Sequence, residues 1–117
     1  MGVLKILLLV LITFHGLIHI LGFVKAFRIA PVQALSHDIS KANGMLWLLS
    51  CLLFLLTASI FFSGKEWWWL PSIAALVVSQ YVMIKDWSDA KYGSIANGLM
   101  LIITIIGFIV WCIVTGQ

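Results

Sequence analysis

Charge is what this sequence has least of. In 117 residues there are seven Lys or Arg and four Asp or Glu, 9% in all, against about 25% in an ordinary soluble domain. Too few are present to keep a water-exposed surface hydrated. The basic residues lie in short segments between apolar runs, with no basic patch to suggest nucleic acid. The net charge of +3 speaks instead of membrane topology and of anionic lipid headgroups. Cysteine is scarce too. Cys51 and Cys112 fall at opposite depths of two apolar runs, beyond disulfide reach, and read as small packing residues. There is no nucleophile elbow, no phosphate-cradling glycine loop and no His-Glu-x-x-His, so an enzyme is not the favoured reading. Apolar and polar residues never alternate over a whole segment, which excludes a membrane β-barrel. Internal repeats, low-complexity stretches and signs of a second domain are absent as well.

Apolar residues fill the space: 63% of the chain is hydrophobic and the mean hydropathy is +1.17. Four runs, at about 3–24, 45–62, 67–84 and 95–114, each approach the roughly 20 residues that a spanning helix needs. The expected fold is all-α: one polytopic membrane domain over 1–117, an antiparallel four-transmembrane-helix bundle. The first run has Lys5 near its start, but it is too long for a signal peptide and no small-x-small cleavage site follows it. It is read as a retained helix.

Lysine and arginine set the orientation. Lys25, Arg28, Lys41, Lys85 and Lys91 fall on one side of four spans, Lys5 and Lys65 on the other. The positive-inside rule makes the first side cytoplasmic and both termini non-cytoplasmic. Trp67, Trp68, Trp69 and Trp111 then form an outer aromatic belt, with Trp47, Trp87 and Tyr92 towards the inner one. The connection 25–43 is long for a compact fold. Val32, Leu35 and Ile39 recur there at helical spacing behind Pro31, which predicts a short interfacial helix on the inner membrane surface.

Small and polar residues mark the faces that meet, because lipid tolerates few of them. His15, His19 and Gly22 share a face of the first helix; Asn43, Trp47, Ser50 and Thr57 share one on the second. Ser72, Ser79, Met83 and Asp86, with Gln80 beside them, mark the third; Gly93, Asn97, Met100, Thr104, Gly107 and Trp111 mark the fourth. At about 1.5 Å per residue, His19 lies roughly 8 Å and His15 roughly 14 Å inside the cytoplasmic end of the first helix. Gln80 and Asn97 reach similar depths, and Asp86 and Asp89 sit at the mouth. The pattern predicts a polar interior concentrated in the cytoplasmic half, with only hydroxyls, a glycine and a tryptophan beyond it, and so a pocket open to the cytoplasm more than a continuous pore.

The run His-Gly-Leu-Ile-His-Ile-Leu-Gly-Phe at 15–23, with Trp-Ser-Asp-Ala-Lys-Tyr-Gly at 87–93 and Ile-Ala-Asn at 95–97, resembles a group of uncharacterised four-helix bacterial membrane proteins. In some of them the bundle precedes a soluble C-terminal domain. That likeness implies a multi-pass protein of the bacterial inner membrane and brings no activity with it. More distantly, Gly22 and Lys25 ending the first helix of a four-helix plan resemble the DoxX-like family. The chain departs from a redox-partner role there, having no Cys-x-x-Cys. In size it is similar to small multidrug-resistance exporters, but nothing matches their buried glutamate in the first helix.

His15 and His19, four residues apart, could offer two nitrogens on one face to a divalent metal. A third ligand would be needed. Haem is a second option, although one helical face cannot place a histidine on both sides of the iron. Proton relay or a small polar ligand is easier, with His15, His19, Gln80, Asn97, Asp86 and Asp89 as the binding set. The favoured reading is packing, in which the imidazoles bridge helices through Gln80, Asn97 or main-chain carbonyls. Asp86, Asp89, Lys85 and Lys91 around Trp87 read as a solvated turn with snorkelling lysines, or else as a cation gate; Asp89 could then orient His19. His37-Asp38 reads as a loop or helix-start pair. The partners implied are the lipid bilayer, a second copy of the chain, or a membrane or soluble protein on the cytoplasmic side. The chain is therefore expected to be an interaction or anchoring module, with ligand binding, proton-coupled transport or redox as the alternative.

Overall fold

The computed structural model describes residues 2–30, 39–85 and 93–116, and every described element is helical. They are α1 (Val3–Ile18), α2 (Ile20–Ala26), α3 (Lys41–Phe62), a 3₁₀ turn (Glu66–Trp68), α4 (Trp69–Lys85) and α5 (Gly93–Thr115). Since α1 and α2 run on through His19, four helices among the described residues are long and apolar enough to cross a membrane: Val3–Ala26, Lys41–Phe62, Glu66–Lys85 and Gly93–Thr115. The first, with 24 residues, is about 36 Å long. The Cα envelope measures 49 × 22 × 20 Å. Its long axis is close to the roughly 40–45 Å of a bilayer with its headgroups.

Capping, and not apolarity, sets the start of α3. Ser40 is its N-cap and its hydroxyl accepts the Asn43 N–H at 3.1 Å, satisfying an otherwise orphaned donor. The helix therefore begins at Lys41, ahead of the apolar run expected from 45, and Asn43 lies in its first turn. Two helix ends share one cap design. After α3, Gly64 adopts φ 78°, with Lys65 N–H donating to Ile60 C=O and Gly64 N–H to Phe61 C=O. After α2 the same bonds run from Ile29 to Val24 and from Arg28 to Lys25, and here the left-handed residue is Arg28, φ 54°. Both ends are Schellman caps.

Helices adjacent in the chain pack together: α1 and α2 on α3, α3 on α4, and α4 on α5. Lys5 lies over the Phe61 ring, Gly16 packs on Phe54, Gly22 on Trp47 and Gly44 on Ala26. Ser72 meets Thr104, Ser79 meets Asn97 and Met83 packs on Gly93. Gly22 is needed where it stands, because a Cβ there would overlap the Trp47 ring. One core cluster joins Ile12, Phe54, Ala58, Ala75, Leu76 and Met100; a second joins Ala26, Ile39, Trp47, Val82 and Met83. Cys51 is buried and Cys112 exposed, both as free thiols. Residues 31–38, where the interfacial helix is expected and the His37-Asp38 pair falls, and the Asp86–Asp89 cluster around Trp87 lie outside the described residues; Ile39, the last of the three apolar positions of that connection, is described and is buried in the second cluster.

Candidate functional site

Four of the candidate residues meet. His15, from α1, and His19, at the α1–α2 junction, stand edge to face with ring centroids 5.0 Å apart. α3 supplies an aromatic wall: Phe54 lies 4.9 Å from His15 and 5.4 Å from His19, and Trp47 5.5 Å from His19. α4 and α5 supply the polar partners. His15 Nε2 is 2.7 Å from Asn97 Oδ1, and His19 Nε2 is 2.6 Å from Ser79 Oγ. His19 Nδ1 is 2.8 Å from the main-chain oxygen of His15. His19 and Ser79 are fully buried, and His15 and Asn97 nearly so.

The chemistry of the acceptors fixes where the hydrogens are. A carbonyl oxygen only accepts, so His19 donates from Nδ1 to His15 C=O. In the neutral ring His19 Nε2 then accepts, and the Ser79 hydroxyl donates to it. Ser79 Oγ in turn accepts from Asn97 Nδ2 at 3.0 Å. The second hydrogen of that amide goes to Gln80 Oε1 at 3.1 Å, and Gln80 Nε2 donates to Ser94 Oγ at 3.1 Å. Asn97 Oδ1 is left as the acceptor for His15 Nε2–H. A reversed Asn97 amide would turn its oxygen towards Ser79, whose one hydrogen already serves His19. A single assignment with two neutral imidazoles thus gives each of these bonds from His15 to Ser94 one donor and one acceptor.

A second, smaller polar layer lies one level away. Thr104 donates to Met100 C=O at 2.7 Å, so Ser72 must donate to Thr104 Oγ1, also at 2.7 Å. Among the described residues, two buried side-chain polar atoms have no hydrogen-bond partner, Ser50 Oγ and Trp69 Nε1.

Of the residues singled out from sequence, His15, His19, Gln80 and Asn97 are brought together, with Gln80 reaching the histidines only through Asn97. Asp86 and Asp89 lie outside the described residues. Ser79 and Ser94 complete the network beyond those candidates. Ser79 was visible as one member of the polar face of its helix, whereas nothing in the periodicity marked Ser94. Among the described residues no three His, Cys, Asp or Glu side chains converge to hold a metal. A metal or haem iron at His19 would have to displace one of that ring's two hydrogen bonds. The polar chain reaches the surface sideways, at a groove of about 390 Å³ between α4 and α5 lined by Gln80, Ser94, Asn97 and Gly98 among others.

Comparison with known proteins finds no matching family model, no similar curated protein and no similar solved structure.

Proposed function

We propose that this chain is an integral membrane module, an antiparallel bundle of four transmembrane helices that acts by anchoring and interaction, with its buried histidines setting the register of the helices. The observation that carries this is the continuity of the polar network: one arrangement of hydrogens gives every bond linking His15, His19, Ser79, Asn97 and Gln80 a donor and an acceptor from within the chain. In hydrocarbon, such bonds hold helices together where the hydrophobic effect between helices is missing. The paired positions 5 with 61, 16 with 54 and 22 with 47, then 72 with 104, 79 with 97 and 83 with 93, favour neighbours that run in opposite directions. The basic end, with Lys25, Arg28, Lys41 and Lys85, is read as cytoplasmic. That puts both termini on the far side of what the sequence resemblance suggests is a bacterial inner membrane. A second copy or a protein docking on the cytoplasmic side is the partner this reading implies.

One observation favours a second, proton-linked reading. Ser79 Oγ lies 2.6 Å from His19 Nε2 and 3.3 Å from Asn97 Oδ1. Rotation of its hydroxyl towards Asn97 would free His19 Nε2 to hold a proton and donate it back to Ser79. Reconstituted vesicles separate the two readings. The anchoring module is expected to show no proton flux above empty vesicles, no Soret band and no stoichiometric metal, while His15→Leu and His19→Leu lower its unfolding midpoint. Flux, haem or metal present in the wild type and lost in both variants would replace anchoring with transport or cofactor binding.

A further inference from the structure

The end of the molecule where α2 stops and α3 starts is hollow. A cavity of about 420 Å³ is lined there by Lys25, Ala26, Phe27, Arg28, Ile39 and Lys41, within the roughly 300–1,000 Å³ usual for ligand pockets. Among the described residues, three of the six that line it are cations: Lys25 in the last turn of α2, Arg28 just past its cap, and Lys41, the first residue of α3. Among the described residues none of the three makes an ion pair. Glu66, the one carboxylate among those residues, begins the 3₁₀ turn beyond the opposite end of α3, while Asp38, Asp86 and Asp89 lie outside the described residues. Three like charges gathered around one hollow repel one another, and an anion between them reverses that sign.

The surroundings strengthen the attraction. Ala26 and Ile39 are buried and form an apolar floor, which reduces the screening of charges above it. α3 begins at Lys41, so the positive end of its dipole adds to the field. Three of the last four carbonyls of α2, those of Phe23, Val24 and Lys25, accept from the N–H groups of Phe27, Ile29 and Arg28, which weakens the opposing field. Arg28 stands at the left-handed cap position that glycine occupies after α3, where a side chain costs backbone energy. Its guanidinium brings the forked donor set suited to phosphate.

We propose that this cavity binds a phosphate group, carried either by an anionic lipid headgroup or by a soluble phosphate compound. This goes beyond the anchoring reading, since it assigns a ligand chemistry to the basic end and uses none of the histidine network.

The test uses the full chain in phosphatidylcholine nanodiscs, with phosphatidic acid as the lipid probe and inorganic phosphate as the soluble one. Lipid retained per chain is read by native mass spectrometry and phosphate binding by titration. One phosphatidic acid per chain is expected. Arg28→Gly should weaken its retention about fivefold and the triple variant Lys25→Gln/Arg28→Gly/Lys41→Gln about a hundredfold, from roughly 1 kcal/mol per cation. Arg28→Gly suits the cap conformation better than arginine, so its loss of binding cannot be laid to misfolding, and unchanged helix content by circular dichroism checks this. Lys5→Gln/Lys65→Gln, at the other end, should leave retention unchanged. Competition by inorganic phosphate would identify a soluble ligand, and its failure to compete a headgroup; either supports the phosphate site. Equal retention in the triple variant, an equal loss in the Lys5/Lys65 control, or binding of neither probe overturns it.

Discussion

His19 Nδ1 lies 2.8 Å from the main-chain oxygen of His15, the acceptor that the His19 main-chain N–H would take in an uninterrupted α-helix. That N–H turns to Gly16 C=O instead, at 3.0 Å. The imidazole thus does the work of the backbone, and the local tightening separates α1 from α2 at the residue whose other nitrogen reaches α4. His19→Phe keeps a ring in the aromatic wall but removes both side-chain bonds. It is expected to lower stability by about 1 kcal/mol, taking two bonds at roughly 0.6 kcal/mol each. Helix content should not fall, because the main-chain N–H can return to His15. Unfolding in mixed micelles with circular dichroism reads both quantities.

The bond between His15 and Asn97 ties the first helix to the last. A double-mutant cycle with His15→Ala and Asn97→Ala should give a coupling energy of about 0.6 kcal/mol, and at most about 1.7 kcal/mol. Simple additivity of the two changes would mean that the contact contributes nothing.

Two serines that look alike in sequence should respond oppositely to the same change. Ser79→Ala strips the His19 acceptor and the Asn97 donor of their common partner, and is expected to cost about 1–2 kcal/mol. Ser50 Oγ is buried with no hydrogen-bond partner, so Ser50→Ala removes an unsatisfied hydroxyl and adds helix propensity. It should be neutral or stabilising by up to about 1 kcal/mol. Destabilisation of equal size in both would show that the network has no special share in stability.

Glycine substitutions offer a second contrast. A Cβ at Gly22 would overlap the Trp47 ring, so Gly22→Ala is expected to destabilise by about 1–3 kcal/mol. Gly98 has nothing within 4 Å of where a Cβ would stand, and Gly98→Ala should be neutral or gain up to about 1 kcal/mol from helix propensity. Thermal midpoints of the two variants beside the wild type decide it. Equal losses would mean that glycine at 22 answers to something other than the close approach of α2 to α3.

Much of this molecule could be read without its structure. Hydropathy and run length alone imply four helices able to cross a membrane, because hydrocarbon thickness sets how many apolar residues in a row are needed. Helical periodicity brought His15, His19, Gln80 and Asn97 into view, since i, i+3 and i+4 positions share a face whatever the surroundings. The helix ends were less legible. α3 starts at Lys41 because Ser40 caps it, a local bond that an average over apolar residues does not register.

Only the tertiary structure decided who bonds to whom. Periodicity gives the face a residue occupies but not the height of that face against its neighbour, and a hydrogen bond is sensitive to shifts of less than 1 Å or so. Hence Ser79 rather than Gln80 meets His19, Ser94 joins through Gln80, and Ser50 is left without a partner on a face that looked equivalent. The same holds at the basic end. The sequence shows Lys25, Arg28 and Lys41 as scattered charges that orient the chain. Folding α2 back onto α3, with Gly22 on Trp47 and Gly44 on Ala26, draws them around one cavity, because the helices can approach so closely only where a side chain is missing.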